Sequence, residues 1–202
     1  SRLGETHSSD LRRPLALSAV TATYKALLTD RRFIAPAMSV SLVLGSLYLF
    51  FAMAPAILME GFGFSPLQLA LFFASTVFVV FGAGLLAPRL AHRFGAMRAA
   101  RAGIAVAFAG GATLLAAPEQ VYYVSAALTV FLIGMGLINP LGTAVTLQPF
   151  GQNAGAASAL LGFLQMGCAA ISIAITSALP LSPYLAFSAV IATSLLMAMG
   201  TF

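Results

Sequence analysis

Charge is what this chain most lacks. Only 7% of its 202 residues are Asp, Glu, Lys or Arg, where a water-soluble domain carries about 25%. Tryptophan is absent, and cysteine occurs once, at Cys168. A single thiol closes no internal disulfide, so Cys168 reads as a small hydrophobe. Histidine is confined to His7 and His92, and no Asp, Glu, Lys, Arg or His follows Glu119 for the remaining 83 residues. These absences exclude most catalysis. The "GAASA" string at 155–159 has no histidine to activate its serine. No zinc-ligand set and no Gly-Lys-Ser/Thr phosphate loop is present. The expectation is no enzyme, no metal and no cofactor.

What the chain has instead is long apolar intervals. Uncharged stretches of 27 residues separate Arg32 from Glu60 and of 28 separate Glu60 from Arg89, with 17 more between Arg101 and Glu119. A helix needs about 20 apolar residues to cross a bilayer, and lipid requires its backbone polar groups to be paired internally. The chain therefore reads as an all-α integral membrane protein, a six-transmembrane-helix bundle. The spans fall near 33–59, 66–88, 102–118, 121–147, 154–179 and 183–202, so residues 33–202 form the bundle. They are separated by "EGFGFSP", by 89–101, and by "APEQ", "QPFGQN" and "LPLSP", where Gly, Pro and Asn break helices. Residues 1–32 read as a linker. Within it, 15–31 places Leu17, Val20, Tyr24 and Leu27 on one face. Both an interfacial amphipathic helix and a solvated linker helix fit that pattern. No cleavable leader is recognisable. The first residue is Ser1 rather than Met, and a piece of a longer protein is the expectation.

With six spans, alternate loops share a side. Arg2, Arg12, Arg13, Lys25, Arg31 and Arg32 precede the first span, and Arg89, Arg93, Arg98 and Arg101 follow the second; these are all ten cations. The opposite loops hold Glu60 and Glu119 and no cation. The positive-inside rule puts the cationic side and both termini in the cytoplasm. Cations that flank spans are explained by lipid headgroups and topology, so no nucleic-acid partner is expected despite the net charge of +5.

A helix that only fills membrane is apolar all round, so polar stripes are informative. In the fifth span Gly151, Gly155, Ser158, Gly162, Gln165, Ala169, Ser172 and Thr176 recur at alternating four- and three-residue steps. The first span repeats this with Ser41, Gly45, Tyr48, Ala52, Pro55 and Met59. Two readings stand: close helix packing through small residues, or the wall of a water-accessible cavity. Pro55 and Pro140 each lack an N–H and free a carbonyl one turn back, which predicts kinks. Asn139 beside Pro140 is either a cavity group or an interhelical hydrogen-bonding one. The residues proposed to line a cavity are Tyr48, Phe51, Pro55, Phe72, Thr76, Met135, Asn139, Ser158, Gly162 and Gln165. In each set of three spans a long first span carries a late Pro and a short last span lacks a polar stripe. The sets run in opposite senses, a 3+3 inverted-repeat plan. Proton coupling uses a buried titratable group, and these spans contain none.

Three strings then bear on family: "APAILMEGFGFSP" (54–66), "RLAHRFGAMRAARAG" (89–103) and "QPFGQNAGAASALLGFLQMG" (148–167). With the opening "RLGETHSSDLRRPL" and "YKALLTDRRF", they resemble the C-terminal half of Bcr/CflA-type drug-efflux transporters of the major facilitator superfamily. The resemblance covers essentially the whole chain. It implies a twelve-helix fold in two halves, found in the bacterial inner membrane and exporting hydrophobic small molecules in exchange for protons. The partner would be an N-terminal six-helix half, which would also carry the proton-coupling groups. The first, second, fourth and fifth spans of this half would border the cavity, and the third and sixth would face lipid. Arg89, His92, Arg93, Gly95 and Arg98 resemble the superfamily's cytoplasmic gate motif, with His92 where an acidic residue stands. Two other readings remain at this point: a complete six-span protein working as a homodimeric channel or half-size carrier, and a non-transporting membrane scaffold.

Overall fold

Lipid leaves a charge-poor chain few options, and this one adopts the helical option throughout. The computed structural model describes residues 17–202, and among them there is no strand. The linker at 1–14, with Arg2, Arg12 and Arg13, lies outside the described residues. Helix α1 spans Leu17–Thr29. Its Leu27 is buried and its Tyr24 half-buried against the first turns of the bundle, while Leu17 stays exposed. The apolar stripe of α1 is thus used at one end only.

Six longer helices follow: α2 (Arg31–Pro55), α3 (Pro66–Phe94), α4 (Ala96–Ala116), α5 (Val121–Leu147), α6 (Ala154–Ala178) and α7 (Pro183–Thr201). Their starts have local causes. The Asp30 carboxylate accepts from the Arg32 N–H at 2.8 Å and caps α2. Ser65 and Gln68 form a reciprocal capping box ahead of Pro66, satisfying two N–H groups that otherwise lack partners. Ser182 caps α7 with Pro183 in its first turn. Between α5 and α6 the chain is helical from Val121 to Ala178 except for a 3-10 turn at 148–153, where Phe150 leaves helical geometry. A straight 58-residue helix would be about 87 Å long, so this turn is what makes two spans of one.

Helix boundaries match expectation closely in α5, α6 and α7 and depart from it around α3 and α4. The expected loop 89–101 does not exist. Helix α3 continues through Pro88 to Phe94, Gly95 alone forms the corner, and α4 begins at Ala96. Pro88 removes one hydrogen bond without ending the helix. His92 and Arg93 occupy the last turn of α3, where cations are favoured by the carbonyl end. Pro140 likewise leaves α5 continuous. At Pro55 the α-helical register does end, but the chain widens into a π-helix over Ala56–Gly61 rather than a bend into loop.

Close approaches give the directions. Gly103 of α4 lies against Gly134 and Gly110 against Phe131, so α4 and α5 are antiparallel. Gly45 meets Cys168 and Ala169, and Ala37 packs near Ala157, so α2 and α6 are parallel. Ser39 donates to the Ala198 carbonyl at 2.7 Å and Tyr184 to the Leu114 carbonyl at 2.6 Å, clamping α7 on α2 and α4. Helix α2 packs on α5, α6 and α7, and α5 packs on α2, α3 and α4. Exchanging α2 with α5, α3 with α6 and α4 with α7 maps these pairings onto each other. That is the inverted repeat, written in contacts.

The ends of the bundle differ in charge. Phe33 stacks edge-on against Phe150 at 5.5 Å, and the Arg101 guanidinium donates to the Phe202 carbonyl at 3.1 Å. The starts of α2, α4 and α6 and the end of α7 therefore share one end, with every described cation at or near it. Glu60 and Glu119 sit together at the other end, beside Ser182 and Tyr184. Six crossings separate charge of opposite sign.

Candidate functional site

The cavity candidates occupy two distinct kinds of position. On α2, Tyr48, Phe51, Ala52 and Pro55 form an exposed stripe. On α6, Gly155 and Ser158 are exposed and Gly162 and Gln165 half-buried. On α5, Asn139 is half-buried beside an exposed Pro140. All of these residues are at least partly exposed. Met135 and Thr76 are buried, at 3% and 4% exposed. Met135 belongs to the apolar core, and the Thr76 hydroxyl donates to the Phe73 carbonyl at 2.7 Å within its own helix. Phe72 is intermediate, sitting between Phe50 and Phe64 at centroid distances of 6.4 and 6.2 Å. With Phe51 and Phe73 these rings make an aromatic cluster joining α2 to α3.

The glycines separate the packing and cavity readings of the stripes. A methyl placed on Gly110, Gly134 or Gly136 would collide with the backbone of the facing helix, and one on Gly45 or Gly103 would press on it. These positions exist for close approach. A methyl on Gly151, Gly155 or Gly162 would meet no atom within 4 Å. The small residues at the start of the α6 stripe therefore pack against nothing among the described residues. Farther along, Ala169, Ser172 and Thr176 are buried. A four-three repeat averages 3.5 residues and drifts about 20° per heptad against the 3.6-residue helix, so one stripe leaves the open side as it ascends. The α2 stripe does the converse: Ser41 and Gly45 are buried, Tyr48 and Pro55 open.

The two amides matter most. Gln165 lies eleven residues into α6, about 16 Å along it, well inside the hydrocarbon thickness. Neither its side chain nor that of Asn139 makes a hydrogen bond among the described residues, so the interhelical bond considered for Asn139 is not made within this bundle. An unpaired amide facing hydrocarbon is costly. Water or further polar protein must meet these groups.

At the cationic end Arg89, His92, Arg93, Gly95 and Arg98 are all exposed. They form a helix end, a one-residue corner and a helix start. Gly95 has φ +87°, and the Arg93 guanidinium lies 5.3 Å from the Phe94 ring. No ion pair joins these residues among the described ones, in keeping with His92 in place of an acid. The interhelical bonds of Ser39, Tyr184 and Arg101 were not foreseen. Each links residues at least 70 positions apart, and no local pattern announces such a partner.

Comparison with known proteins comes to the same class of molecule. A sequence profile of the Major Facilitator Superfamily matches residues 3–173. The chain is 28% identical over 200 residues to an uncharacterized MFS-type transporter, YdgK, of Bacillus subtilis (strain 168). That alignment takes in 94% of this chain and 49% of the relative, so the chain spans about half the length of that protein.

Proposed function

Because the chain belongs to the Major Facilitator Superfamily, whose members are transporters rather than enzymes, we propose that it forms one six-helix half of an exporter of hydrophobic small molecules. Its partner is a second six-helix half, the N-terminal one, which covers the open surface of α2, α5 and α6 and leaves a central cavity between the two. The observation that carries this reading is the pair of amides, Gln165 and Asn139, held at membrane depth without a hydrogen-bond partner among the described residues. Aromatic groups of α2, Tyr48 and Phe51, supply apolar contact area, and Ser158 and Gly162 keep the wall shallow. Such a mixture of apolar lining and a few polar groups is the usual makeup of small-molecule sites.

Protons drive export through titratable groups of the other half, since no Asp, Glu, Lys, Arg or His of this chain falls within the spans 33–59, 66–88, 102–118, 121–147, 154–179 and 183–202. Alternating access is rocking of the two halves about the cavity, with the Arg89–Arg98 corner facing a cytoplasm that also holds both ends of this chain. The membrane is the bacterial inner membrane, and the exporter is of the Bcr/CflA drug-efflux type. Gln165→Leu and Asn139→Leu, introduced together into the full-length protein, test the reading. Efflux of a lipophilic cationic dye from energised cells is expected to fall severalfold while the yield of folded protein is kept. Unchanged efflux would return both amides to a packing role and remove the cavity assignment.

A further inference from the structure

A groove of about 400 Å³ runs between α2, α6 and α7. Its walls are mainly apolar, with Met38 and Leu42 from α2, Ile171 and Ile175 from α6, and Met197 from α7. Along α6 it extends from Cys168 to Leu179, about 16 Å at the helical rise. It is not the open surface described above. The Gly45 contact with the backbone of Cys168 and Ala169 closes α2 onto α6, and the groove lies on the α7 side of that seam. None of the ten cavity candidates lines it.

Two hydroxyls set this groove apart from a packing fault. Ser172 on α6 and Ser194 on α7 both line it, and they are only 5% and 8% exposed. Neither side chain makes a hydrogen bond among the described residues. Their neighbours do: Thr176 donates to the Ser172 carbonyl at 2.8 Å and Thr193 to the Ala189 carbonyl at 2.7 Å. Nor are the two hydroxyls sealed into the protein. Among the described residues the fully enclosed side-chain oxygen without a partner is Ser41 Oγ, so those of Ser172 and Ser194 keep open space beside them, and the groove is that space. At this depth no bulk water answers a hydroxyl, and leaving one unanswered is unfavourable.

We propose that the groove is a lateral binding site, separate from the central cavity, for a lipophilic small molecule that enters from the bilayer. Its ligand has an apolar body matched to the methionine and isoleucine walls and a carbonyl oxygen partway along it. One of the two hydroxyls, Ser172 or Ser194, donates to that oxygen. The volume falls in the range of small-molecule pockets. A plain acyl chain would fill the walls and leave both hydroxyls unmet, so the site prefers a mid-chain acceptor over an alkane of equal length. The assignment does not depend on the export reading.

Cys168 lines the groove and is the chain's single cysteine, which makes it a built-in reporter. In lipid nanodiscs, alkylation of Cys168 by N-ethylmaleimide is followed by peptide mass, with undecan-6-one or undecane at equal membrane mole fraction. The ketone is expected to slow alkylation about fivefold relative to the alkane, the factor that one net hydrogen bond supplies. The S172A/S194A double variant should bring the ketone down to the level of the alkane. As a readout independent of the thiol, the carbonyl stretch of bound ketone should shift to lower frequency, saturably, in the parent protein and not in the variant. Equal protection by ketone and alkane would make the groove a lipid-chain slot and overturn the proposal. So would a carbonyl shift that persists in the double variant, or the absence of both protection and shift.

Discussion

One added methyl should have opposite effects on two glycines of this bundle. At Gly134 a Cβ would lie 2.7 Å from Ala107 Cα and 2.5 Å from the Gly103 carbonyl oxygen, both of them backbone atoms of α4. Backbone cannot rotate out of the way, so α4 and α5 must part by roughly 1 Å to reach ordinary contact. A gap of that size forfeits a quarter to a half of each dispersion well along the seam. The seam also holds Gly103, Gly110 and Phe131, and Gly134→Ala is expected to cost about 3 kcal/mol, the upper part of the overpacking range. At Gly162 the same methyl meets no atom within 4 Å. Only the backbone term remains, and alanine is favoured over glycine inside a helix by about 1 kcal/mol. Gly162→Ala should therefore be neutral to stabilising. Denaturant titration in mixed micelles, followed by far-UV circular dichroism, measures both. If Gly162→Ala destabilised as much as Gly134→Ala, the α6 glycines would be packing positions and the open-wall reading would be wrong.

Three further outcomes follow from single groups. Ser41→Ala removes a sealed hydroxyl without a hydrogen-bond partner among the described residues and should raise stability by about 1 kcal/mol; a loss of stability on denaturant titration would show that Ser41 Oγ is hydrogen-bonded. Tyr184→Phe leaves the Leu114 carbonyl without its 2.6 Å donor and should cost about 1–2 kcal/mol, measured by the same unfolding assay. Gly95 holds φ +87° with ψ 144° at the α3–α4 corner, a region almost closed to other residues. Gly95→Ala should cost about 1–3 kcal/mol and speed tryptic cleavage after Arg93 and Arg98; an unchanged digest would show that the corner tolerates a side chain.

Much of the architecture was legible because lipid admits so few alternatives. The starts of α3, α5, α6 and α7 coincide with Pro66, "EQV", "NA" and Pro183, where cap and breaker residues act within a few positions of their effect. The cations at 89–101 misled, because charge marks the end of an apolar span while the helix itself runs on to Phe94. The α6 stripe was read as one face and is two, since its small drift against the helical period accumulates over 25 residues. Among the cavity candidates, Thr76 and Met135 illustrate the same limit. Their residue types fit a pocket lining, yet which side of a helix meets a neighbour is set by crossing geometry.

By itself the order of residues determined that the chain is built of membrane-spanning helices, with its cations gathered before the first span and after the second. Hydrocarbon thickness and the cost of burying charge act on each segment alone, so that outcome needs no knowledge of neighbours. Only the tertiary structure decided which small residues join helices and which stand open. Gly134 and Gly162 are the same residue in the same kind of helix, and what lies 3 Å beyond the Cα, supplied by residues far off in the chain, makes one a seam and the other a wall.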